Sequence, residues 1–332
     1  MYVKIMKYLS ATVIAGTLLL GLNACGGGGG DGESSPVGTA PATPIALNPN
    51  NAEQVSGLAL ESADGLISTG GLLPLAAQTT AAGTKKASLH EITRVLMGKR
   101  NNHEAGGEVV AGATQQQSCS AGGDITMTMD ENAGTASISF NQCAEGDLVI
   151  NGSVSFSGIT QTGTAPNETV SMTISYNNLS VTQAGTTAVS INGSYDVTVV
   201  STGTEVTSTL SGTLLSITEG GQTHDLFNFQ FTETLVNATL MTTTTADYTL
   251  SSSLINGSVT VTTQTPLETD FGASYPHSGV LLIEGANSSI RLTVLGDENF
   301  LPLDQQVRLE IDANGDGTYE TTVTRSWDAL ND

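Results

Sequence analysis

From about residue 119 to residue 323 the chain alternates, with few breaks, between aliphatic or aromatic side chains and Ser, Thr or Asn. In 170–181, for example, Met172, Ile174 and Tyr176 interleave with Ser171, Thr173 and Ser175. Successive side chains of a strand point to opposite faces, so this pattern prescribes antiparallel strands with one dry and one wet face. Comparable stretches lie at 125–129, 136–140, 148–157, 189–200, 206–218, 226–235, 238–250, 253–263, 280–284, 290–295, 307–311 and 319–323. Polar turns such as Thr202-Gly203, Glu219-Gly220-Gly221 and Gly285-Ala286-Asn287 join them. No helical period separates the strands, which excludes a parallel βαβ plan. The expected fold is mainly β: a large curved antiparallel sheet or open barrel of about a dozen strands.

Three of the strands carry one phrase, Ile150-Asn-Gly-Ser-Val154, Ile191-Asn-Gly-Ser-Tyr195 and Ile255-Asn-Gly-Ser-Val259, echoed by Leu210-Ser-Gly-Thr-Leu214. The spacing is irregular, so duplicated hairpins fit better than a solenoid. A glycine inside a strand marks a bend or bulge, and repeated bends would curl the sheet. Few aromatics and no aromatic girdle argue against a transmembrane barrel.

Helices are expected only ahead of the β region, one or two short ones packed on the sheet. Asn51-Ala-Glu53-Gln54-Val55 reads as an N-cap with an acidic first turn, opening a helix over about 52–63 that is interrupted near Gly65. Ser88-Leu-His-Glu91 reads as a capping box ahead of the stripe Leu89, Ile92, Val95, Leu96. That second helix packs on the sheet or, alternatively, lies on a membrane surface with Arg94, Lys99 and Arg100 outward.

Charge narrows the partners. The net charge is −22, and beyond residue 100 the basic residues are Arg291, Arg308 and Arg325 alone. Such a domain repels nucleic acid, so none is expected as a partner. Chemistry-bearing motifs are sparse. His90-Glu91 and His103-Glu104 lack the second histidine of a zinc protease, and no Gly-x-Ser-x-Gly elbow occurs. No enzyme is expected.

One stretch has the spacing of a cation loop: Asp312, Asn314, Asp316, Thr318 and Glu320 place oxygens at alternate positions with Gly317 sixth. Position twelve is Val323 instead of the bidentate glutamate, and both flanks read as strands. Two readings stay open: a hairpin turn built on Asn-Gly and Asp-Gly, or the same turn also holding Ca²⁺ weakly.

The N-terminus carries a resemblance. Lys4 and Lys7 precede a mostly apolar run to Leu22, too short for a membrane span and of secretory size, and the run closes on Leu22-Asn23-Ala24-Cys25. This ending resembles the lipobox of bacterial lipoproteins. That resemblance implies cleavage before Cys25, acylation of its thiol and new amine, and an outer-membrane address because Gly26, not Asp, follows. Two or more acyl chains give a stable anchor. In an exported chain the remaining pair, Cys119 and Cys143, is expected to form a disulfide that clamps the open end of the 125–140 hairpin.

Further along, Asn51-Ala-Glu-Gln-Val55, Cys143 with Asn151-Gly152-Ser153, Tyr275-Pro-His-Ser-Gly279 and Trp327-Asp-Ala-Leu330 look similar to uncharacterised lipoproteins of Gram-negative bacteria, a group that implies no activity. The expected organisation is a signal peptide (1–24), a lipidated cysteine with a flexible Gly/Pro/Ser linker (25–50), a helical and irregular segment (51–118) and a β domain (119–332). The expected function is a membrane-tethered, non-catalytic envelope module: a carrier with a hydrophobic ligand on its curved sheet, or a surface adhesion or matrix module. An enzyme acting on envelope polysaccharide is the third class, though no paired carboxylates mark it.

Overall fold

The computed structural model describes residues 40–68, 114–130, 133–183, 186–270, 273, 275–296 and 306–331. Cys25 and the expected helix near 88–97 lie outside them.

Fourteen strands form one antiparallel sheet in unbroken sequence order, and the first and last strands do not pair, so the sheet is open. They are β1 (Thr114–Ser118), β2 (Asp124–Asp130), β3 (Thr135–Glu145), β4 (Leu148–Thr164), β5 (Asn167–Gln183), β6 (Thr186–Thr202) and β7 (Glu205–Glu219). Then follow β8 (Gln222–Val236), β9 (Met241–Ser252), β10 (Gly257–Thr269), β11 (Ser278–Gly285), β12 (Ser288–Leu295), β13 (Gln306–Asp312) and β14 (Thr321–Ser326). Helix α1 (Ala52–Ser68) precedes the sheet, and the short α2 (Trp327–Asn331) follows it.

The alternation therefore translates into structure with a few differences, one being that the strand expected from 238 starts at Met241 after a turn. The β region starts before residue 119, because β1, Thr-Gln-Gln-Gln-Ser, pairs with β2 although it has no apolar alternation. Residues 253–256 form a turn, so the strand expected from 253 starts at Gly257, and β14 starts at Thr321 instead of 319. Helix α1 continues through Gly65 to Ser68, since Leu66 and Ile67 extend a helix that one glycine weakens by only about 1 kcal/mol.

One face is dry. Met172, Val197, Leu210, Phe231 and Ala246 stand opposite one another across β5–β9 and are buried. One residue along each strand, Ser171, Thr198, Thr209, Thr232 and Thr245 form the matching row on the outer face. Helix α1 lies across the dry face, touching β8 on one side and β12 and β13 on the other. Its rise of about 25 Å matches five strand spacings of about 4.8 Å. Val55 and Ala59 are fully buried, the Tyr248 hydroxyl donates to the Ala59 carbonyl, and Arg325 pairs with Glu53 at 2.6 Å.

Toward the middle of the sheet the dry face carries a chain of rings: Tyr176, Tyr195, Phe229, Phe231 and Tyr248, with successive centroids 5.3 to 6.4 Å apart. The Tyr176 and Tyr195 hydroxyls meet at 3.3 Å. Burial pushes all three phenols well above the usual tyrosine range, so they stay neutral.

A line of irregularities crosses the same middle. Register shifts fall between Phe140 and Cys143, Asn151 and Ser153, Tyr176 and Leu179, Ser194 and Asp196, and Phe227 and Gln230. Gln142, Asn178 and Asn228 there have φ of 46 to 49°. The repeated phrase supplies the repair. Asn151 Oδ1 accepts the backbone N–H of Gln142 at 2.9 Å, and Asn192 Oδ1 accepts that of Asn178 at 3.4 Å. The following Gly152 is obligatory, because a Cβ there would lie 2.2 Å from the Asn178 carbonyl oxygen. The expectation that these glycines mark bulges holds for Gly152, Gly193 and Gly212, whereas Gly257 opens a strand after a turn. Bulges bend the strand and raise its twist, which is how this sheet acquires curvature.

Part of the expected linker is bound. Residues 42–47 cross one end of the sheet: Ile45 N donates to Ser258 O at 3.1 Å, Ala286 N to Ile45 O at 2.6 Å, and Leu47 N to the buried Ser288 Oγ at 2.7 Å. The flexible linker expected over 25–50 is thus corrected for 42–47, which the sheet holds in place.

Gly212 on β7 leaves room for the Phe229 ring, whose Cζ lies 2.5 Å from where a Cβ would sit. Gly212→Val is expected to lower stability by about 1–3 kcal/mol through overpacking. Thr213→Val, on the exposed face of the same strand, should stay within about 0.5 kcal/mol. Urea unfolding of both variants checks the contrast.

Candidate functional site

The Asp312–Glu320 segment connects β13 to β14 and is organised around one carboxylate. Asp312 ends β13 and is 3% exposed. Its Oδ1 accepts the backbone N–H groups of Asn314 (3.3 Å) and Gly315 (2.7 Å), and its Oδ2 accepts that of Gly317 (2.9 Å). Asn314 Oδ1 accepts Asp316 N, and Asp316 Oδ1 accepts Thr318 N, each at 2.8 Å. These are successive Asx turns, favoured because short Asp and Asn side chains reach the backbone two residues on. The bond from the Thr318 backbone, then that from its side chain, holds the Asp316 carboxyl below the usual range.

The same fold brings the candidate ligands together. One oxygen from each of Asp312, Asp316 and Glu320 lies within 4.8 Å of the others. The Asn314 amide nitrogen sits among them, donating to Asp316 Oδ2 at 3.2 Å and Glu320 Oε1 at 2.6 Å. Three carboxylates are a hard oxygen donor set of the kind Ca²⁺ takes. Val323 is no part of it: it lies in β14 opposite Leu309. The turn is a connection of eight residues (313–320), longer than a two-residue hairpin loop.

The sulfur pair is joined. Cys119 and Cys143 form a disulfide with Cα atoms 5.4 Å apart. Cys119 lies between β1 and β2, and Cys143 lies inside β3, past the bulge at Gln142. The bond clamps the open end of the β2–β3 hairpin, as expected. Glu145 beside it bonds the Ser120 backbone N–H at 3.0 Å and the Ser120 hydroxyl at 2.5 Å. On the chain-entropy model a loop of this size contributes about 3 kcal/mol.

Two polar clusters were not legible in the sequence, because cross-strand register alone assembles them. His224 on β8 faces Ser252 on β9, with Nδ1 and Oγ 3.0 Å apart. Ser252 is buried and its Oγ also accepts Leu254 N, so this pair ties a turn and presents no exposed nucleophile. His277 lies between Asp270 (3.2 Å from Nδ1) and Glu268 (3.6 Å from Nε2). Glu268 also accepts the Ser278 hydroxyl at 2.7 Å.

No helix among the described residues is long and apolar enough to cross a membrane. No family model, curated protein or solved structure matches the chain.

Burial lowers the His224 pKa below 6.5, with Asp225 opposing. The unfolded chain then binds a proton that the folded chain refuses, so stability present above pH 6.5 is lost as pH falls below it. Melting temperature is expected to drop between pH 7.5 and pH 5. In His224→Gln the drop should be smaller, as differential scanning calorimetry reads directly.

Proposed function

We propose that this protein is a lipid-anchored module of the bacterial outer membrane that acts by contact, without catalysis. The lipobox ending at Cys25 supports the anchor, and the glycine run that follows it suits a tether. The observation that carries the contact reading is the outer face of β4–β9. Thr160, Ser171, Thr198, Thr209, Thr232 and Thr245 form one hydroxyl row over six strands. Thr207 and Thr234 begin a second row beside it, their hydroxyls 3.0 Å apart. On the apolar side of the sheet, where a carrier would hold a hydrophobic ligand, α1 packs against β8, β12 and β13 and the ring chain fills the middle. Adhesion or matrix contact through the Thr- and Ser-rich outer face, which also carries Asp196 and Asp247, is therefore favoured over ligand carriage.

Two experiments test this. Radiolabelled palmitate is expected to enter the wild-type protein and to be absent from Cys25→Ser; equal labelling of both would end the anchor reading. Native mass spectrometry of the protein extracted from its own envelope is expected to find no lipid-sized adduct in the β domain. It should also find a partner that is lost in Thr209→Lys/Thr232→Lys; a retained hydrophobic ligand would restore the carrier.

A second proposal concerns the β13–β14 turn, where the clustered oxygens of Asp312, Asp316 and Glu320 favour weak Ca²⁺ binding. Calorimetric titration is expected to give a dissociation constant on the order of 10⁻⁴–10⁻³ M, as for extracellular modules. Binding should vanish in Asp316→Ala. No heat in the wild type would leave the turn with its capping role alone.

A further inference from the structure

We draw no further inference here: the strongest candidate, the pair of hydroxyl rows on the outer face of β4–β9, is the surface already assigned above, and nothing in the structure shows which partner covers it.

Discussion

In this sheet of fourteen strands the first and last do not pair, so ring closure does not bury its apolar face, which needs other cover. That requirement governs the molecule. Closed barrels bury one face by meeting their own first strand. Here β1 and β14 remain apart. The residues that end fully buried in the C-terminal hairpins, Leu281, Ile283, Ile290, Leu292, Leu309 and Ile311, would each lose about 2 kcal/mol of burial if the face were wet. Helix α1 provides the cover at that side. It is short, yet laid across the strands it reaches from β13 to β8. The strap at 42–47 and α2 fix where it sits: Gly57 packs so closely on α2 that a Cβ would lie 2.1 Å from the Leu330 carbonyl oxygen.

Curvature is the second half of the same problem. A flat sheet would meet a cylinder along one line only, whereas a bent one can wrap it. The bulge line through β3, β5, β7 and β8 bends the long strands at one level, and the ring chain gathers at that level. A bulge leaves a backbone N–H without a ladder partner. Asn151 and Asn192 supply that acceptor from the neighbouring strand at exposed positions, which is why the phrase pairs Asn with Gly. The side-chain carbonyl replaces the lost backbone acceptor, and the missing Cβ admits the bulged strand. The edges are managed by composition. Both β1 and β14 are short and mostly polar, β14 with Arg325, Ser326 and three threonines around the single aliphatic Val323, which discourages pairing with another chain.

How much of this could be read from residues alone follows from the range of each interaction. Alternation is local, so strand type, approximate number and the dry face were legible, as was the disulfide, whose two cysteines flank one hairpin. Strand β1 was not, because three glutamines carry no periodic signal and it exists only by pairing with β2. The strap was not either: Ala42 to Leu47 looks like linker, and it is ordered by Ser251, Ser258 and Ser288 more than two hundred residues away. The parity of alternation also breaks at each bulge. In β5 the buried set steps from Met172, Ile174 and Tyr176 to Leu179 and Val181, a shift that a strict two-residue reading would score as noise. Tyr275 and Trp327, far apart in the sequence, stack at 5.3 Å with rings 4° from parallel, a packing contact that no local pattern announces.

The β13–β14 turn shows why a cation motif and a structural turn are hard to separate by sequence. The same oxygens can serve either N–H donors or a metal, and geometry decides between them. Asp312 is committed: both its oxygens accept backbone N–H groups, and its burial leaves little freedom to reorient. Asp316 and Glu320 are exposed, and the Asn314 amide nitrogen bridges them in the position a cation would take. Coordination would require that amide to turn so that its oxygen, now bonded to Asp316 N, faces the ion. The turn would then exchange two N–H···O bonds from a neutral amide for the charge of Ca²⁺ against three carboxylates. That exchange favours the ion only where calcium is abundant, because the fold is already complete without it. A strand-flanked loop with a self-satisfied central aspartate is consequently complete as a turn without an ion, and poorly suited to holding a permanent structural one.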